Sequence, residues 1–301
     1  MRQRHAAPKA LVAGAATLIA MAAWMLTAPQ PLAADDVAQG PGNAAAGARI
    51  FHAGGCASCH AAKGAKGAAR LALGGGAPLD TPFGRFQPPN ISPGPDGIGG
   101  WTLAEFDNAM RRGMAPDGRH YYPAFPYASY ARMRPGDVAD LFAYLKTLPA
   151  VAGKAPASDV AFPYSIRRGI GLWKRLYLNA DPVVTLPASA SAEARAGQYL
   201  VEGPGHCGEC HTPRDGFGGS DRARWLAGGP DAEGKGKVPG LTPHALSWSA
   251  GEIADYLKTG FTPDYDSVGG SMVEVQANMA QLTDADRAAI AAYLKALPAS
   301  K

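Results

Sequence analysis

Two pentads of the form Cys-x-x-Cys-His constrain this chain more than any other feature: Cys56-Ala57-Ser58-Cys59-His60 and Cys207-Gly208-Glu209-Cys210-His211. They are the landmarks of an internal repeat, and they contain all 4 cysteines. Gly47 stands nine residues before Cys56, and Gly197 ten before Cys207. Downstream, Trp101-Thr102-Leu103-Ala104-Glu105 matches Trp248-Ser249-Ala250-Gly251-Glu252, each opening a helical pattern. Gly113 and Gly260 close those helices in the manner of a C′ glycine. Ala143-Tyr144-Leu145-Lys146-Thr147-Leu148-Pro149 then parallels Ala292-Tyr293-Leu294-Lys295-Ala296-Leu297-Pro298. A repeat of this length means one supersecondary unit used twice.

Each copy reads as a short helix, the pentad helix, a long loop rich in Gly and Pro, a middle helix, a second loop and a terminal helix. No sustained apolar alternation demands a sheet, so the expected fold is all-α. Each unit of about 100 residues has few apolar positions for its length, which calls for something large and apolar at its centre. The expected division is residues 1–34 as an export segment, 40–150 and 191–301 as the repeated domains, and 151–190 as a linker. Within that linker, the basic amphipathic stretch Ile166–Leu178 predicts a helix that docks the two domains, with a membrane-surface or partner contact as the alternative.

In Cys-x-x-Cys-His the thiols sit one helical turn apart and can add to the two vinyl groups of one haem, while the following His turns its imidazole to the iron. This is the signature of c-type haem attachment. The candidate attachment residues are Cys56, Cys59, Cys207 and Cys210; the candidate proximal ligands are His60 and His211. A structural zinc site needs four ligands, and neither copy has a second Cys or His pair nearby. A thioredoxin-like pair needs a strand–helix setting that is absent here.

The sixth iron position separates electron transfer from chemistry at an open iron. In the second copy Met272, within Gly269-Gly270-Ser271-Met272, is the candidate, and Met279 reads as core. In the first copy Met133 is the first candidate and His120 the alternative; Met114, opposite Phe261, reads as packing. Alignment of the terminal helices puts Met133 opposite Leu282 and Phe125 near Met272. Asp96 reads as a turn residue.

Residues 1–34 hold Arg2, Arg4 and Lys9 and no acidic residue before Asp35. An uncharged stretch from Ala10 to Ala34 follows the three basic residues, and its apolar heart, Leu11 to Leu26, falls between the length of a typical signal core and that of a membrane span. It serves either as a cleaved signal or as a membrane anchor over residues 10–28, and both readings place the rest of the chain in the periplasm. Without those three cations, 26 basic residues face 25 acidic ones. A nearly neutral surface gives no support to nucleic-acid binding. No nucleotide-binding glycine fingerprint or hydrolase constellation is found.

Further residues carry a family resemblance: Pro89-Asn90-Ile91-Ser92, Gly97-Ile98-Gly99-Gly100-Trp101, Asp117-Gly118-Arg119-His120, Tyr122-Pro123-Ala124-Phe125-Pro126-Tyr127, and Leu282-Thr283-Asp284-Ala285-Asp286. From about residue 40 onward the chain resembles the cytochrome c subunits of membrane-bound bacterial dehydrogenases such as alcohol and gluconate dehydrogenase. The resemblance implies two tandem class I cytochrome c domains, each with one covalent haem c. It implies a dehydrogenase catalytic subunit as electron donor, and the quinone pool, an oxidase or another cytochrome as acceptor. The chain would then be an electron-transfer subunit rather than an enzyme by itself. Those subunits usually carry three haems, where two are found here, and they often have Met where this chain has Phe125. The unsettled first site keeps an alternative open: a haem enzyme of peroxidase-like or thiosulfate-oxidising type.

Overall fold

The computed structural model describes residues 6–231 and 236–298. Helix α1, Ala6–Leu26, is followed by α2, Ala44–Ala53, and the first pentad helix α3, Cys56–His60. Strands β1, Leu79–Thr81, and β2, Gly84–Phe86, precede α4, Leu103–Arg112, the short α5, Tyr127–Tyr130, and α6, Pro135–Leu145. The linker holds β3, Asp159–Val160, and α7, Ile170–Tyr177. The second domain follows with α8, Ala192–Glu202; the second pentad helix α9, Gly208–His211; β4, Gly229–Pro230; β5, Lys237–Val238; α10, Ala250–Thr259; α11, Met272–Met279; and α12, Asp284–Ala296.

The repeat is reproduced element for element. Helices α4 and α10 both begin with a capping box, Thr102 with Glu105 and Ser249 with Glu252, and both end on a left-handed glycine, Gly113 at φ 58° and Gly260 at φ 80°. The residue after each glycine closes a turn by an isolated bridge, Met114 to His120 and Phe261 to Ser267. Helix α12 starts on Thr283, whose side chain caps Asp286 N. Helix α6 lacks such a cap and starts with Pro135 in the first turn, where a missing N–H costs nothing.

Each domain is closed by its first helix crossing its last. The matched glycines lie at these crossings. A Cβ on Gly47 would come 1.9 Å from Asp140 O in α6, and one on Gly197 would come 1.8 Å from Ala289 O in α12. Only a residue without a side chain lets the backbones approach so closely. Below the first crossing lie Ile50, Phe51, Phe106, Val138, Leu141 and Leu145, and below the second Leu200, Val201, Ile253, Ile290, Ala291 and Tyr293. Each large aliphatic side chain buried there contributes about 1.5–3 kcal/mol.

The all-α expectation needs correction. Helices dominate, but β1 pairs antiparallel with β2 (Leu79 opposite Phe86), β2 with β3 (Gly84 opposite Val160), and β4 with β5 (Gly229 opposite Val238). These strands have two or three residues, too few to print an alternating pattern. They form because the loops over the pentads fold back on themselves, and β3 ties the linker to the first domain. Two short helices were also absent from the expectation: α5, and α11, which falls where a loop was expected.

Among the described residues no helix is long and apolar enough to cross a membrane.

Candidate functional site

The pentads sit at the end of a common device. In the first domain His52 O and Ile50 O take the amide bonds that finish α2, and Gly55, in the left-handed region at φ 56°, turns the chain into α3. In the second domain His206 occupies that turn with φ 40°. None of the four cysteines is joined in a disulfide. Burial pushes the Cys56 and Cys207 thiols up to about 12, with Cys59 and Cys210 adding to the effect.

Both histidines are held the same way. His60 Nδ1 donates to Pro89 O at 2.8 Å and His211 Nδ1 to Pro239 O at 2.7 Å. A carbonyl oxygen only accepts, so the proton is on Nδ1 and the lone pair on Nε2. Burial lowers the pKa of each ring, against the raising effect of its prolyl bond, which favours neutral imidazole. A neutral ring with its tautomer set by a backbone carbonyl is the usual state of a metal-bound histidine. Paired thiols, a free Nε2 and an apolar surround form a donor set that fits a covalently attached haem in both domains. Among the described residues no cluster of three or more His, Cys, Asp or Glu side chains could hold another metal.

The walls of the two sites differ. Cys56 packs against a core that includes Ala57, Ala61, Ile98, Tyr130 and Met133, with Phe125 and Trp101 at its edge. Met133 is 3% exposed, and Leu282, its counterpart, is also buried. Phe125 lies in a stack of aromatic edges, with ring centroids 5.6 Å from Tyr130 and 6.0 Å from Tyr121. In the second domain Cys207, Trp225 and Met272 border the core, and Met279 is buried within it. Met272 is the first residue of α11 and half-buried. Behind this pentad lies a polar chain that the sequence did not reveal. Trp225, whose ring would strike any side chain at Gly208, donates Nε1–H to Tyr293 OH, and Tyr293 donates to the buried Glu202 at 2.6 Å. Glu202 in turn accepts the amides of Val183 and Val184.

His120 is held elsewhere. Its Nε2 donates to Thr27 O at 2.9 Å and its Nδ1 lies 3.1 Å from Lys174 Nζ, so both ring nitrogens are engaged. Met114 is half-buried and bridges His120 through its backbone.

The two attachment segments touch each other. His206, just before Cys207, donates Nε2–H to Gly54 O at 3.2 Å, and its ring meets the edge of Tyr130 at 5.6 Å. Asn278 of α11 donates to Ser58 Oγ inside the first pentad at 2.8 Å. Ser129 of α5 donates to Glu209 Oε1 inside the second at 2.7 Å. Each pentad therefore bonds to a short helix of the other domain, the first to α11 and the second to α5. Arg49 of α2 adds a forked pair with Asp286 of α12, 2.6 Å at its shortest. Linker helix α7 reaches both domains, through Lys174 Nζ to Arg112 O and Gly113 O and through Trp173 Nε1 to Phe217 O. That is the docking role its amphipathic pattern predicts.

The cytochrome c profile matches residues 44–149 and again 194–298. The chain belongs to the cytochrome c family. A diheme cytochrome c-type protein of Cereibacter sphaeroides is 53% identical over 294 residues, covering 97% of this cytochrome and 99% of its own length. The alcohol dehydrogenase (quinone) cytochrome c subunit of Komagataeibacter europaeus is 38% identical over 84% of this chain and 55% of its own. The fructose dehydrogenase cytochrome subunit of Gluconobacter japonicus is 35% identical over 81% and 50%. The cytochrome thus spans about half the length of these dehydrogenase subunits and nearly all of its diheme relative. Two cytochrome c domains and a diheme relative of the same extent give it two covalently bound haem c groups.

Proposed function

We propose that this cytochrome accepts electrons outside the cytoplasmic membrane from the catalytic subunit of a dehydrogenase. It passes them through its two haem domains to the respiratory chain, at the quinone pool, an oxidase or another cytochrome. The observation that carries the reading is the direct contact between the two attachment segments, His206 Nε2 to Gly54 O, in a chain built of two haem c domains. A relay needs its redox groups close enough for an electron to pass within the molecule, and here the residues that lead into the two pentads are joined by a hydrogen bond. The relatives named as dehydrogenase cytochrome subunits support the donor class, and none of those described above is named for chemistry at an open haem.

In this reading Cys56 with Cys59, and Cys207 with Cys210, would form the thioether links, and His60 and His211 would supply Nε2 to iron. When bound, haem c supplies a one-electron couple whose potential is set by its axial ligands, hydrogen bonds and burial. The protein's share is to fix the two rings, exclude water with the Phe125, Tyr130 and Trp225 walls, and bring thioether sulfur to the distal side. Met272 is the proposed distal ligand in the second domain, at the mouth of α11. Met133 is the proposed ligand in the first, since it lies in the same core as Cys56 while His120 spends both ring nitrogens on Thr27 and Lys174.

The test uses the haem-loaded protein with membranes of its source, supplied in turn with ethanol, gluconate, fructose or nicotinate under anaerobic conditions. Reduction of both haems, dependent on one substrate, is expected, followed by reoxidation when a quinone analogue or oxidase-containing membranes are added. Rapid stoichiometric binding of carbon monoxide to one haem, with no substrate-dependent reduction, would overturn the relay.

A further inference from the structure

The chain that follows α1 is built into the folded body. Thr27 is buried, its carbonyl accepts from His120 Nε2 at 2.9 Å, and its hydroxyl accepts from Arg168 Nε at 3.0 Å. Gly171 of α7 makes room for it: a Cβ there would lie 2.5 Å from Thr27 O and 2.7 Å from Thr27 Cα. Further along, Arg112 Nε donates to Gln30 O at 2.9 Å, the Leu32 amide donates to Asn108 Oδ1 at 2.8 Å, and Arg111 donates to Asp36 O at 2.6 Å. Arg111 is itself paired inside the protein with the fully buried Asp107. Residues 27–36 are thus a strap across α4 and α7, fastened by side chains that are buried or half-buried in the body.

Cleavage after Ala34 would remove Thr27, Gln30 and Leu32 from this seat. It would leave His120, at 4% exposure, without the acceptor for its Nε2. Upstream of the strap, among the described residues, Leu11, Leu18, Ile19, Trp24 and Met25 of α1 are each about two-thirds or more exposed. Its end is ringed by cations. The Arg168 guanidinium lies 3.7 Å from the centroid of the Trp24 ring, and Arg175 Nε donates to Leu26 O at 2.6 Å. On the same face of α7 by helical spacing, Leu172 and Leu176 are exposed. An apolar helix ending in indole and guanidinium, beside a segment that presents Leu172 and Leu176 next to Arg168 and Arg175, matches the layers of an anionic phospholipid bilayer.

We infer that this cytochrome keeps its N-terminal segment after export: residues 27–36 are a structural strap, and α1 is a tether inserted into the acyl region of an anionic bilayer, with Arg168 and Arg175 at the headgroups. Insertion is all that the inference requires, not a crossing. It rests on the reading of the chain as an exported relay, and its test reads a different quantity.

The full chain is produced in a host that attaches haem c, and the mature protein is analysed for intact mass, N-terminal peptide and haem content. A mass that includes Thr27 and the residues of α1, in material released from membranes by detergent but not by salt, is expected. So is flotation with vesicles of phosphatidylglycerol and phosphatidylcholine. A two-haem protein beginning at Asp35 and found in the soluble fraction would overturn the inference while leaving the relay intact. A chain that keeps residue 27 but carries no haem would overturn the relay and not the strap. A second measurement addresses the seat: Gly171→Val in the full chain should speed amide exchange across residues 27–36 by about tenfold with haem content unchanged. Unchanged exchange would show that the strap is not held there.

Discussion

His206 Nε2 donates to the carbonyl of Gly54 at 3.2 Å, so the residue before one haem-attachment pentad is bonded to a residue two positions before the other. Replacing His206 with Ala removes both this bond and the ring contact with Tyr130. Electron equilibration between the haems, followed after photoreduction of one of them, should then slow by about tenfold, and His206→Gln, which keeps a donor, should recover part of the rate. An unchanged rate would place the route elsewhere in the interface.

Met133 and Phe125 compete for the description of the first haem's distal side. Met133→Leu conserves volume, so its stability cost should stay below about 1.5 kcal/mol. The absorption band that reports Met–iron bonding should nevertheless lose about half its amplitude, with Met272 supplying the rest, and the first potential should fall. His120→Ala should leave that band intact. A band unchanged in Met133→Leu, with a shift in the Soret spectrum of one haem in His120→Ala, would reverse the assignment.

Gly197 is irreplaceable for a reason that can be weighed. A Cβ there would overlap Ala289 O at 1.8 Å, and two crossing helices cannot both shift without opening the core beneath them. Gly197→Ala should destabilise the second domain by about 3 kcal/mol, read as a drop in its thermal midpoint. Gly136→Ala, where nothing lies within 4 Å, should be close to neutral and serves as the control.

Asp286 joins the domains through Arg49 and also caps α12 through Thr283. Burial alone would raise its pKa, but the bonds from Arg49 and Thr283 outweigh it and the net direction is down. A depressed carboxylate stabilises the fold above its unfolded pKa, about 3.9, and that contribution is lost as pH falls through the folded value. Domain cohesion should therefore weaken below about pH 4. Arg49 is partly exposed, so screening limits its share, and Arg49→Met should cost about 1 kcal/mol at neutral pH and flatten the acid limb. An acid limb identical to that of the unsubstituted protein would assign the acid sensitivity to other carboxylates.

Much of this molecule is readable in one dimension because its chemistry is local. The pentads need only a helical turn to present two thiols and an imidazole. Thr102 with Glu105, Ser249 with Glu252, Gly113 and Gly260 act within four residues of themselves, so their roles follow from spacing. Gly47 and Gly197 could be matched by register, but the reason for them, a backbone crossing another backbone, belongs to the folded state. The strands were missed because two or three residues carry no period, and α11 because glycines before Met272 read as loop. His120 looked like a ligand because nothing along the chain shows that Thr27 and Lys174 will occupy both its nitrogens.

The order of residues alone determined that this protein attaches two haems and repeats one helical unit. Tertiary structure decided which prolyl carbonyl sets each histidine's tautomer, which segments of the two domains meet, and what the N-terminal strap is fastened to. Covalent attachment depends on groups a few bonds apart, whereas these later choices depend on groups 28 to 237 positions apart, which only burial of the surrounding apolar surface brings within reach of a hydrogen bond.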